Sequence, residues 1–247
     1  MILLPEDYWE VRNTDKKGRG IFAKKDIPAG TVIGDYIGRV IKTAEEDIYE
    51  KDEALYLMYY HDRASIYPVD HKAVGVHLLN HSCTPNCWMY TYRGHTLFFA
   101  LRHVFKGEEI TISYLLSPLD ETCNPCKDIC YCNGLLCRGT MHLTDDKFDR
   151  WNEFNESIEK KTKKARVTYG KELPKLKNYP ESIPDNPIYD LFGSAQEKPL
   201  ELSSDELPSA QEIRNLIREK GKTINIPKLN TKILGVCDGT LVSEPLS

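Results

Sequence analysis

Asn80-His81-Ser82-Cys83-Thr84-Pro85-Asn86-Cys87 decides how this 247-residue chain is read. An asparagine and a histidine side by side present hydrogen-bond donors and acceptors from one turn. Taken alone, such a pair reads as a polar turn that satisfies buried backbone groups. Two later segments change its weight. Gly107-Glu108-Glu109-Ile110-Thr111-Ile112-Ser113-Tyr114 is a β-prone run that ends on tyrosine, and Cys130-x-Cys132-x4-Cys137 brings three thiols together. Order and spacing, more than any one segment, set this pattern apart from chance.

The cysteines are informative by position. Of eight, seven fall between Cys83 and Cys137, and Cys237 stands apart. Met1 to Glu10 has no charged-then-apolar signal layout, and no apolar run approaches bilayer length. The chain therefore reads as soluble and intracellular, with nuclear and cytoplasmic placement both open. Clustered cysteines in a reducing compartment bind metal more readily than they form a disulfide framework, and the spacings suit structural zinc. A hydrophobic fraction of 40% supports a packed core, and a net charge of −4 argues against a general nucleic-acid binder. A mildly acidic protein suits a basic peptide.

Short β-prone runs at Val11-Arg12, Ile21-Phe22-Ala23 and Thr31-Val32-Ile33 are separated by Lys17-Gly18-Arg19-Gly20 and Ile27-Pro28-Ala29-Gly30. Thr43-Ala44-Glu45-Glu46 has the form of a capping box and predicts a helix over residues 43–57. Thr96 to Leu101 reads as a buried strand. Asp145 to Lys164 predicts a helix with Trp151, Phe154 and Ile158 on one face. Between Lys160 and Lys177 there are eight basic residues and one acid; between Glu181 and Glu212, eight acids and one base with four prolines. Such blocks read as solvated linker. A last helix, Ser209 to Lys220, precedes a hairpin around Asp238-Gly239.

In Lys17-Gly18-Arg19-Gly20-Ile21-Phe22-Ala23 the Gly-x-Gly turn lacks the third glycine of a dinucleotide fingerprint. Followed by Asp35-Tyr36-Ile37-Gly38, the Asn-His-Ser-Cys loop, Tyr114 and the cysteine triplet, it resembles a SET-domain protein-lysine methyltransferase with a post-SET zinc motif. The resemblance covers roughly residues 8–140. It implies a mostly β fold, with small curved sheets around a pseudoknot and a zinc-bound lid. The implied organisation is a SET domain over 8–116, a post-SET segment over 117–141 and a partly helical, charged, proline-rich extension over 142–247.

The same resemblance implies transfer of a methyl group from S-adenosylmethionine to a lysine of a protein or peptide. Histone tails are the commonest family substrate, with ribosomal and other proteins among the alternatives. Tyr114 takes the family's catalytic place, and Tyr36 is the candidate for a second tyrosine in the lysine channel. Lys17, Gly18, Arg19 and Gly20 would contact the cofactor, together with Asn80 and His81. Tyr56 resembles the cofactor-side tyrosine, with Tyr59 and Tyr60 competing for that role. Cys83 would join Cys130, Cys132 and Cys137 around zinc, while Cys123 and Cys126 could supply alternative ligands, bind a second metal with Cys87, or stay reduced and inert. No membrane and no direct nucleic-acid partner is expected.

Two departures matter. Before Asn80 the family has an asparagine and an arginine where this chain has Ala73-Val74-Gly75-Val76-His77, so His77 is the candidate to replace part of their polar role. Ile112 stands where the family commonly has phenylalanine or tyrosine, which leaves room for more than one added methyl group. A catalytically weak module that binds peptides or scaffolds partners is the alternative reading.

Overall fold

The structure, a computed structural model, describes residues 1–48, 56–61, 63–83, 85–120, 123, 125–132, 137–161, 168–183, 199–201, 223–226, 231–237 and 240–245. It is mostly β, as the sequence predicts. Strands β1 (Trp9–Thr14) and β2 (Gly18–Ala23) form a hairpin. Two three-stranded sheets follow. β3 (Val32–Asp35) pairs with β9 (His95–Ala100), which pairs with β8 (Cys87–Tyr92). β4 (Arg39–Lys42) and β5 (Met58–His61) flank β6 (Ala64–Tyr67). The short β7 (Asn80–His81) and β10 (Glu109–Ile112) complete a four-stranded sheet in the order β1-β2-β10-β7.

Side-chain chemistry fixes these registers. Ile110 of β10 sits opposite Ile21 of β2, and both are fully buried. A one-residue slip would swing Glu109 into the core, against about 1.5–3 kcal/mol for burying each isoleucine. β8 and β9 are joined by Arg93-Gly94, both with positive φ (50° and 81°), the geometry of a tight hairpin turn. Ile21, Ile33, Ile66, Phe98 and Ile110 share one core; Trp88, Leu97, Phe99 and Leu101 form a second.

The predicted helix over 43–57 is a 3₁₀ helix at Thr43–Ile48; residues 49–55 lie outside the described residues. The capping box does not form because Glu46 accepts a hydrogen bond from the Ser65 hydroxyl instead, while Glu45 accepts from the Lys42 N–H. The second predicted helix is present as α1 (Asp145–Lys161), with residues 162–164 and the side chain of Ile158 outside what the structure describes. Trp151 meets Trp88 edge-on at 5.7 Å, and Phe154 packs on the second core.

The charged stretch beyond α1 differs from the solvated linker expected. Residues 168–183 lie along the sheets: Gly170 N–H donates to Val40 O, Leu173 N–H to Gly38 O and Ile183 N–H to Gly30 O. Leu173 and Ile183 are buried among core residues, and those apolar anchors outweigh the local charge density. The proline-rich stretch from 184 to 198 and the predicted helix Ser209 to Lys220 lie outside the described residues. β11 (Pro199–Glu201), β12 (Thr223–Ile226), β13 (Thr231–Cys237) and β14 (Thr240–Pro245) form a separate sheet. Within it, Cys237 pairs with Thr240 in the expected hairpin, whose turn residues lie outside the described residues.

Candidate active site

The Asn80–Asn86 loop is bound to β10 along its length. β7 runs parallel to β10, with Asn80 beside Thr111 and His81 beside Ile112, and Ser82 N–H donates to Ile112 O at 2.8 Å. Asn86, only 2% exposed, takes the opposite edge of β10. Its amide donates to Glu109 O and accepts from Thr111 N–H, both at 2.8 Å. One side chain thereby reproduces the pairing of a neighbouring strand.

β10 delivers Tyr114 to the loop. Tyr114 N–H donates to His81 Nδ1 at 3.2 Å, the two rings meet edge-on at 5.4 Å, and the Tyr114 hydroxyl donates to Leu79 O at 3.4 Å. Accepting at Nδ1 leaves the His81 proton on Nε2, and that buried atom has no partner among the described residues. Burial pushes the His81 imidazole down to about 4 and the Tyr114 phenol up to about 12. Immediately after Tyr114, Leu115 adopts φ +54°, an unfavourable backbone for leucine that turns the chain sharply at the site.

Tyr36 is buried and donates its hydroxyl proton to Tyr56 O at 2.5 Å. Burial raises its pKa strongly, with further contributions from Tyr114, Tyr56 and Tyr67. Tyr56 stacks on His71 and meets His77 edge-on, each at 5.5 Å between centroids. Tyr56 therefore joins the tyrosine cluster, whereas Tyr60 bonds Gly94 O in the β8–β9 turn and Tyr59 is 58% exposed. His77 Nε2 faces the carbonyls of His71 and Ala73, and Arg19 donates to the carbonyls of His71 and Lys72. These two side chains hold the loop in the region where the sequence lacks the family's asparagine and arginine.

The Gly-x-Gly turn is tied in through Glu109. Its carboxylate accepts from Lys17 Nζ on one oxygen and from Asn80 Nδ2 at 2.8 Å on the other, and Asn80 Nδ2 also donates to Arg19 O at 3.1 Å. A Cβ at Gly20 would lie 2.6 Å from Glu109 Oε1 and 2.8 Å from Asn80 Nδ2, so any larger residue would displace the ends of these two bonded side chains. Glu109 and Asn86 organise the site and were not singled out from the sequence. The signal for both was tertiary: each lies inside a recognised motif, but its partner is distant in the chain.

The four proposed zinc ligands converge. The sulfurs of Cys83, Cys130, Cys132 and Cys137 all lie within 4.8 Å of one another. Cys83 and Cys130 are 3.6 Å apart, close to the edge of about 3.8 Å expected for a tetrahedron with 2.3 Å zinc–sulfur bonds. The N–H groups of Arg138, Cys132 and Gly139 point at Cys83, Cys130 and Cys137 respectively, which suits thiolate charge. Hydrogen bonding to Cys132 and burial raise the Cys83 thiol strongly, and burial pushes Cys130 up to about 11. A cation is what would release those protons. Residues 133–136 of the motif, and Thr84, lie outside the described residues. Cys87, the first residue of β8, is fully buried in the first core and is not part of this cluster.

Residues 18–115 match the family model described as SET domain. Human histone-lysine N-methyltransferase 2B is 31% identical over 129 residues, covering 49% of this chain and 5% of that protein. The H3 lysine-36 specific histone-lysine N-methyltransferase of Cryptococcus neoformans var. neoformans serotype D is 35% identical over 138 residues, covering 52% and 16%. The trithorax histone-lysine N-methyltransferase of Drosophila virilis is 30% identical over 148 residues, covering 54% and 4%. The chain thus spans a small part of the length of these relatives. Among the described residues, no helix is long and apolar enough to cross a membrane.

Proposed function

From the premise that this chain carries a SET domain over residues 18–115, we propose that it is an enzyme that methylates lysine side chains of proteins, using S-adenosylmethionine. The observation that carries the reading is the meeting of Tyr114, His81 and Asn80 on two parallel strands, beside the Lys17–Gly20 turn. The residues present fit a polar nucleoside: the Lys17–Glu109 ion pair and the Asn80 amide bonded to it line the turn, His81 has a buried N–H with no partner among the described residues, and Gly20 presents no side chain. S-adenosylmethionine, when bound, supplies a methyl group on a sulfonium centre.

The chain's own residues deal with the amine. A free lysine has a pKa of about 10.4, so it arrives protonated and must lose a proton before it can attack. Tyr114 is no phenolate base, since burial raises its pKa to about 12. Its hydroxyl proton is directed to Leu79 O, which leaves the oxygen lone pairs to accept an amine N–H and orient it. Tyr36, with Tyr56, Tyr67 and Tyr114 near it, adds neutral aromatic groups of the kind that attract a cation at their faces. Positioning of this kind contributes up to roughly 7–11 kcal/mol. Zinc on Cys83, Cys130, Cys132 and Cys137 would fasten the following segment to the same loop that carries His81, completing the channel.

Histone tails are the first substrates to test, because the relatives are named for histone-lysine methylation. Labelled methyl transfer to histones and to a whole-cell protein extract, with Tyr114→Phe as control, is the experiment. Transfer that vanishes in the variant supports the enzyme. Peptide binding with no transfer by either protein would instead favour a scaffolding module, the reading that the altered segment 73–78 motivates.

A further inference from the structure

The post-SET segment carries a second group of metal-type ligands that the four-cysteine cluster does not use. From Pro125 to Cys132 exposure alternates: Pro125, Lys127, Ile129 and Tyr131 are exposed, Cys126, Asp128 and Cys132 are intermediate, and Cys130 is buried. Cys130 and Cys132 enter the first cluster. Cys126 and Asp128 enter another, where their donor atoms and one ring nitrogen of His142 lie within 4.8 Å of one another. Cys123 stands at the edge of that triangle, its sulfur 3.8 Å from His142 Nε2. Backbone pairing brings the two halves together, through bridges from Ile129 to Thr140 and from Leu116 to His142.

The geometry at His142 points to a cation. The side chain is buried, and Nδ1 lies 2.6 Å from Ser117 O, an oxygen that can only accept. Nδ1 therefore carries the hydrogen, and in the neutral ring Nε2 presents its lone pair. That lone pair faces Asp128 Oδ2 at 3.1 Å, with the Cys123 sulfur on the same side. Two lone pairs at this distance repel unless a positive charge lies between them. A second proton on the ring would serve for the aspartate alone, and it leaves the two thiols only weak sulfur contacts, Cys123 with His142 and Cys126 with the Thr140 hydroxyl. A carbonyl-anchored histidine facing a carboxylate and a Cys-x-x-Cys pair is the arrangement by which a protein orients a zinc-binding imidazole.

We propose that Cys123, Cys126, Asp128 and His142 bind a second, structural zinc ion. Binding forms two Zn–S bonds, one Zn–O bond and one Zn–N bond. The two thiols release one proton each to solvent, while the aspartate and the neutral histidine release none, so the closed site carries one net negative charge. No ligand position stays open for substrate. The ion fastens the segment that follows Tyr114 to the chain entering α1. Thr140 is shared by both clusters: its carbonyl accepts from Cys83 and its hydroxyl lies 3.5 Å from Cys126.

The test is the zinc content of the full chain, purified with added zinc and dialysed without chelator. About two zinc ions per chain are expected, falling to about one in His142→Ala and in Cys126→Ser. X-ray absorption at the zinc edge of the unmutated chain gives a second measure that needs no variant to fold. Two sites average about three sulfurs and one nitrogen or oxygen per zinc, whereas a four-cysteine site alone gives about four sulfurs. One zinc per chain with all-sulfur coordination, or two that survive both substitutions, overturns the proposal. Either result leaves the methyl-transfer reading intact, since the second site does not rest on it.

Discussion

Replacing Asn86 by alanine should destabilise the site from its centre. The side chain is buried and makes two 2.8 Å bonds, to Glu109 O and from Thr111 N–H. Alanine leaves both backbone groups of β10 without that partner in a place water does not reach. An unsatisfied buried group costs about 1–3 kcal/mol, so the pair together costs about 2–6 kcal/mol, against a total stability of about 5–15 kcal/mol for an ordinary domain. Urea unfolding, followed by the fluorescence of the buried Trp88, measures it. Asn86→Asp sharpens the test: it keeps the acceptor for Thr111 but sets a carboxylate oxygen against Glu109 O. Its deficit should shrink as pH falls and the acid protonates, because a hydroxyl can donate to that carbonyl. An Asn86→Ala loss below about 1 kcal/mol would refute the strand-substitute reading.

Other expectations are separable from this one. Tyr114→Phe should abolish methyl transfer while costing no more than about 0.5–1.5 kcal/mol of stability, since its one hydroxyl contact is long at 3.4 Å; calorimetry beside the transfer assay checks both halves. Ile112→Tyr should lower the number of methyl groups added per lysine, because a hydroxyl there holds water in the space a methyl group needs; intact-mass spectrometry of a peptide product reads it. Burial lowers the His77 pKa, so below the ordinary histidine value of about 6.5 the unfolded chain gains a proton that the folded chain resists. Stability should therefore fall as pH drops through that range, and His77→Gln should flatten the slope of urea midpoint against pH. Stripping metal with a strong chelator should expose the 117–141 segment to limited proteolysis and remove activity, with both restored by added zinc.

Much of the architecture is written locally. The β-prone runs, the hairpin after Cys237 and α1 with Trp151 and Phe154 facing a core depend on neighbours in sequence, and they form as read. Residues 43–48 did not follow their local signal, because Ser65 claimed the glutamate that the helix start needed. The stretch 168–183 departs for the opposite reason. Its charges advertise solvent, but Leu173 and Ile183 find apolar cores that lie far back along the chain. In the site, the resemblance to SET domains with a post-SET motif, not spacing, implied the convergence of Cys83 with the later triplet. Spacing could not reveal that Glu109 bridges Lys17 and Asn80, or that Asp128 meets His142, since those pairs exist only once strands from distant segments lie side by side.

The most direct measurement is the identity of the labelled amino acid. Zinc-replete protein is incubated with methyl-labelled S-adenosylmethionine and a protein extract, and the labelled products are hydrolysed to single residues. Methyl-lysine that disappears with Tyr114→Phe is the expected result. Label on any other amino acid, or no transfer from folded, zinc-loaded protein to histones or to any protein of the extract, would contradict the assignment.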